Sequence, residues 1–239
     1  MRRLAALVLV VAAALLSGCP STTVRPPSQT KEALPKEAVP SVDAPDVRGA
    51  TLYSIESNAS DMQIHVFRGG KLARLGHNHV MTSKHVTGRV WMHTSIERSG
   101  FEIVLPVGQL IVDDAQARAT AGSDFPGEIS ADDREGTKKN MLRTEVLDAE
   151  HHPTISLRSV QIAGSQQSAQ VIARITIKEV TRDVTVPTSI AITEGRLTAT
   201  GEFDIVQTEF GIKPFSIGLG ALEVLDRLHI EFKIVALKQ

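Results

Sequence analysis

The chain has 239 residues, with 26 basic side chains against 27 acidic ones, 42% hydrophobic residues and one cysteine. That length accommodates one or two domains, and the near-neutral balance, without any run of five like charges, leaves no electrostatic footprint for nucleic acid. A single cysteine excludes intrachain disulfides, zinc ribbons and dithiol redox pairs.

Arg2 and Arg3 precede an uncharged run of Leu, Val and Ala over residues 4–16. The run is too short to span a bilayer as a helix and has the length and flank of a signal-peptide core. It closes on Leu16-Ser17-Gly18-Cys19, which resembles the lipobox of bacterial lipoproteins. The resemblance implies that residues 1–18 are a lipoprotein signal peptide and that the Cys19 thiol takes up a diacylglyceryl group as the membrane anchor. Each buried methylene of such chains contributes about 0.8 kcal/mol, so anchoring by two or three chains is in effect permanent. Pro20 rather than Asp follows the cysteine. In a Gram-negative cell this resembles sorting to the outer membrane, which places the expected chain in the envelope, exported and facing the periplasm.

Residues 19–49 change in character. Six of the eleven prolines fall here (Pro20, Pro26, Pro27, Pro35, Pro40, Pro45), with no aromatic residue and no histidine. Such a segment buries too little apolar surface to offset its ordering entropy and reads as a disordered tether, with a contour of up to ~90 Å at ~3.1 Å per residue.

All nine aromatic residues and all eight histidines follow, in residues 50–239, a span suited to one domain. Alternation with period two dominates it. Met62, Ile64 and Val66 form the first stripe; Val86, Gly88, Val90 and Met92 the second; Phe101, Ile103, Leu105 and Val107 the third. Ser130 followed by Asp133 predicts the start of a helix, with Met141, Leu142 and Val146 as a modest apolar edge before Pro153. Ile155 and Leu157, then Val171 to Ile177, Leu197 to Ile205 and Leu228 to Ala236 continue the alternation. Turn residues punctuate the runs at Arg68-Gly69-Gly70, Arg98-Ser99-Gly100, Ala163-Gly164-Ser165 and Glu194-Gly195-Arg196. Seven to nine antiparallel strands with one short helical insertion make an all-β sandwich or a closed barrel. A barrel of about eight strands holds one small ligand or fills itself with side chains.

Asn140 to Ile162 (NMLRTEVLDAEHHPTISLRSVQI), 177–184 (IKEVTRDV) and Phe203 to Phe215 (FDIVQTEFGIKPF) together resemble the YceI-like family in order and spacing. Lys178-Glu179 stands where the family has a glycine-containing turn, and His152 where it has an aromatic residue before Pro153. The resemblance implies a lipocalin-like barrel over most of residues 52–237 that binds a polyisoprenoid or other long-chain lipid. Candidate lining positions are Val90, Met92, Phe101, Ile103, Ile175, Phe203, Ile205, Phe215, Ile230 and Phe232. At any single position simple core packing is the commoner explanation.

Gly76-His77-Asn78-His79 is the sharpest local motif. Positions i and i+2 of an extended strand share a face, so His77 and His79 are metal candidates, with His65, His85 or His93 as the third ligand. No metalloprotease signature, nucleophile elbow, phosphate loop or dinucleotide fingerprint is present, so the sequence predicts no enzyme. Three functions stand: a membrane-tethered carrier of a hydrophobic lipid or isoprenoid ligand, a metal- or haem-binding barrel using His77 and His79, and a passive structural lipoprotein of the envelope. No cofactor is required by the first, and oligomeric state is not legible.

Overall fold

The computed structural model describes residues 45–239. The leader, the anchor Cys19 and most of the expected tether lie outside the described residues. Where description begins, Asp46 is already in contact with the domain: its carbonyl lies 3.2 Å from His93 Nε2, and its carboxylate 3.7 Å from Arg98.

The strands in chain order are β1 (Thr51–Ile55), β2 (Asp61–Gly69), β3 (His79–Thr82), β4 (Thr87–Met92), β5 (Gly100–Pro106) and β6 (Ile111–Val112). After two helices, α1 (Ala115–Thr120) and α2 (Ala131–Met141), come β7 (Thr154–Ser165), β8 (Ser168–Ile177), β9 (Val180–Thr193), β10 (Arg196–Val206), β11 (Ser216–Ile217) and β12 (Leu222–Lys238). The order β1-β4-β5-β7-β8-β9-β10-β12 is antiparallel throughout, and β12 returns to β1 through Tyr53↔Lys238, Ser54↔Leu237 and Ile55↔Ala236. Eight strands thus close a barrel. The remaining strands lengthen its wall: β2 continues along the edge of β12 after β1, β3 lies beside β2, and β6 beside β3.

The alternation of the sequence sets which side chains point inward. On β8, Ala169, Val171, Ala173, Ile175 and Ile177 are buried and their neighbours are not. On β12, Leu228, Ile230 and Ile234 are buried. Burying each such Val, Leu or Ile contributes about 1.5–3 kcal/mol. The bulge between Ser159 and Gln161 on β7 turns Val160 out to solvent. The β9–β10 hairpin turns through Glu194 (φ 51°) and Gly195 (φ 78°), a pair of left-handed residues whose twist matches that of the flanking strands.

The wall is not uniform. β9 pairs with β10 only from Thr193↔Arg196 to Thr188↔Gly201, whereas β10 stays on β12 as far as Val206↔Arg227. Pairing stops beside Pro187, which has no N–H to give to a ladder. Gly201 lies at the same point because a Cβ there would collide with the Pro187 carbonyl and the Phe232 ring.

Three local details add to these expectations. The helix capped by Ser130 ends at Met141 rather than running on toward Pro153. A shorter helix, α1, precedes it, capped by the Asp114 carboxylate, which accepts from the N–H groups of Gln116 and Ala117. The long strand β9 is absent from the sequence reading because most of its side chains face solvent and Pro187 interrupts it. The Ser130 cap is present as expected, accepting from the Asp133 N–H at 3.1 Å. α2 has no buried residue, and α1 with its following loop packs Ala117 and Phe125 against Val80 and Phe67 on the outside of the wall.

Candidate functional site

Inward side chains leave two cavities stacked along the barrel. One, of about 90 Å³, is lined on β12 by Phe232 and Ile234 and on β8 by Val171 and Ala173. The other, of about 200 Å³, follows further along the same strand faces, at Leu228 and Ile230 of β12 and Ile177 of β8. Beyond it, Thr137, Asn140 and Met141 of α2 with Val146 and Leu147 of the next loop form its end wall. That loop is tied to the barrel by Lys213 N–H to Glu145 O (2.9 Å) and Lys178 Nζ to Thr144 O (3.1 Å).

Of the candidate lining residues, Val90, Met92, Phe101, Ile103, Phe203 and Phe232 border the smaller cavity. Ile205, Phe215 and Ile230 border the larger. Ile175 borders neither; it is buried in the core between Ala173, which lines the smaller cavity, and Ile177, which lines the larger. The smaller cavity presents carbon almost throughout, with Thr188 its one hydroxyl side chain. The larger has a polar fringe at its helix end, made by His79, Gln207, Thr137 and Asn140.

His79 enters that fringe because β3 sends alternate residues inward, with Met81, while Val80 packs outside. Its Nδ1 lies 2.6 Å from Asp113 Oδ2. Asp113 is 1% exposed and also accepts from the Val80 N–H (3.0 Å) and Arg118 Nη1 (2.7 Å). Burial alone would raise the Asp113 pKa, but the hydrogen bonds from His79, Val80 and Arg118 prevail and hold it below the ordinary value. Arg118, itself buried, spends its other donors on the carbonyls of Asn78, Pro126 and Gly127. With Nδ1 engaged by a carboxylate, Nε2 is the His79 nitrogen left for another partner.

The expected metal group does not assemble around His77 and His79. Their rings are 6.3 Å apart and edge-on, and the further histidines lie elsewhere. The His93 ring faces Asp46 O. His65 points to the outer face of the barrel, where its ring packs on Phe125 and His229. Among the described residues, the donor atoms that converge within 4.8 Å of one another belong to His65, His229 and Glu231. The sequence reading missed this group, although the alternation of β2 and β12 already turned all three residues outward. What it lacked was the register that sets His65 opposite His229.

Outside the wall, a groove of about 590 Å³ runs past Gln63, Thr200, Glu202, Glu231 and Lys233. Thr188 and Phe232 border both this groove and the smaller inner cavity, at the place where β9 and β10 part. Among the described residues, no helix is long and apolar enough to cross a membrane.

Residues 53–236 match the family model of the YceI-like domain. No curated protein sequence matches the chain. Among solved structures, BcnA of Burkholderia cenocepacia superposes with a TM-score of 0.55 at 17% identity, over 76% of this chain and 98% of that one. A polyisoprenoid binding domain from Saccharophagus degradans, implicated in plant cell wall breakdown, gives a TM-score of 0.53 at 8% identity, over 78% and 98%. At these identities the likeness is one of fold.

Proposed function

The chain belongs to the YceI-like family, and on that premise we propose that it is a lipid-anchored envelope protein whose barrel holds a long-chain lipid or polyisoprenoid. The observation that carries this reading is the pair of stacked cavities, apolar along the barrel and polar only at the helix end. A chain lying there leaves water without needing many hydrogen bonds. Ten buried methylenes contribute roughly 8 kcal/mol, equivalent to a Kd of about 1 μM before the cost of association is subtracted. A headgroup at the helix end meets His79 Nε2, Thr137 and Asn140, which orients the ligand with its polar end under α2. The polyisoprenoid-binding neighbour of the same fold supports the ligand class. The leader, Cys19 and the proline-rich residues 20–49 support export and tethering, with Pro20 favouring the outer membrane. No step of this reading requires catalysis.

Two measurements test it. Full-length protein purified from a bacterial envelope and extracted with solvent is expected to yield a long-chain apolar compound in near-stoichiometric amount by mass spectrometry. Extracts without such a compound, together with no uptake of farnesol or oleate probes, overturn the ligand assignment. Cys19→Ala is expected to move the chain from the membrane to the soluble fraction, and unchanged membrane association removes the anchor.

A further inference from the structure

Outward-facing residues of three neighbouring strands form a small lattice. Cross-strand pairing sets His65 of β2 against His229 of β12, and His229 against Asp204 of β10. One step along, Gln63 faces Glu231 and Glu231 faces Glu202. Residues opposite one another are about 5 Å apart and positions i and i+2 share a face, so this arrangement gathers side chains without any loop.

The donor atoms point at a common space. Glu231 Oε1 is 3.8 Å from His65 Nδ1 and 3.6 Å from His229 Nε2, and Glu202 Oε2 is 3.9 Å from the same His229 nitrogen. With metal–nitrogen bonds of about 2.0–2.1 Å, tetrahedral ligands sit roughly 3.4 Å from one another. The Glu231 oxygen is within a few tenths of an ångström of that spacing from each imidazole, and the three donors all lie within 4.8 Å of one another.

Both imidazoles are also held from behind. His229 Nδ1 is 2.9 Å from Asp204 Oδ1, and Asp204 is steadied in turn by Arg227 at 2.8 Å. His65 Nε2 faces Gln63 Oε1 at 3.4 Å, and Gln63 is oriented by donating to Asp61 at 3.0 Å. An acceptor behind the non-ligating nitrogen fixes the tautomer that leaves the other nitrogen's lone pair free, the usual support of a metal-bound histidine.

We propose that His65 Nδ1, His229 Nε2 and Glu231 Oε1 form a binding site for a first-row divalent cation, zinc foremost, on the outer wall of the barrel. Two imidazoles and one carboxylate suit zinc and leave a fourth position, which Glu202 or water fills. The outer groove, whose wall includes Glu202 and Glu231, gives an ion access from solvent. This site is separate from the inner cavities, because its ligands occupy the opposite face of the strands.

The test is titration of the metal-free full chain with cobalt(II), followed by zinc displacement, in a Cys19→Ser background so that no thiol competes. One equivalent is expected to bind with visible d–d absorption and to be displaced by zinc. Glu231→Gln and His229→Ala are each expected to weaken binding by at least tenfold, and Asp204→Asn by about 10–100-fold. His77→Ala is expected to leave it unchanged. Glu231 is half exposed, so its variant is the one that remains folded if His229→Ala does not. Absence of the cobalt spectrum at 100 μM metal, or undiminished binding by folded Glu231→Gln, overturns the assignment.

Discussion

Asp113 shows how much one side chain organises here. It lies at φ 52°, in the left-handed region that non-glycine residues avoid, and is nonetheless almost fully buried. Its carboxylate repays that placement by joining β3, α1 and the loop after it through His79, Val80 and Arg118. Arg118→Met leaves this charge buried without its guanidinium partner, and the expected loss is about 3–5 kcal/mol in urea unfolding at pH 7. The pH dependence has a definite sign. Because the folded-state pKa of Asp113 is depressed, its contribution is complete above the unfolded value of about 3.9 and is lost as pH falls through the folded one. Asp113→Asn is therefore expected to be less stable at pH 7 and to have a flatter acid limb below pH 4. An acid limb as steep as that of the parent contradicts this account.

Among the elements, the β8–β9 hairpin carries a visible local conflict. Lys178 takes φ 56° in the two-residue turn between Ile177 and Val180. A left-handed conformation costs an L-residue about 1 kcal/mol or more relative to glycine. What Lys178 adds in return is the hydrogen bond from Nζ to Thr144 O, on the loop that ends the larger cavity. Lys178→Gly is thus expected to stabilise the barrel by about 0.5–1 kcal/mol while loosening residues 142–149. Thermal unfolding measures the first effect and amide hydrogen exchange of that loop the second. Equal exchange in both proteins removes the tie between hairpin and loop.

For the molecule as a whole, closure rests on the end of the chain. β12 is the one strand shared by β1, β2 and β10, and its last residues form the seam with β1. Val235 and Ala236 are fully buried there, and the Val235 N–H donates to Ser60 Oγ. Deleting residues 235–239 removes both buried side chains from the core and takes away a backbone ladder. The expected loss is more than about 5 kcal/mol in urea unfolding, from burial of roughly 1.5–3 kcal/mol for the valine and about 1 kcal/mol for each lost hydrogen bond. An unchanged unfolding midpoint rules out the seam as the closing element. The same topology explains why β9 is free to leave β10: Phe203 and Ile205 remain anchored by pairing with β12.

Alternation along residues 62–66, 101–107, 171–177 and 228–236 marked the strand faces, and Ser130 with Asp133 marked the start of α2, because these signals act between residues close in sequence. The segments 140–162, 177–184 and 203–215 carried the family resemblance in the same way. The exclusion of Ile175 from both cavities, the parting of β9 from β10, the Asp113 network beneath His79 and the meeting of His65 with His229 were decided only by tertiary structure. Each depends on register between strands distant in the chain, and register is set by the closed barrel, not by any segment alone.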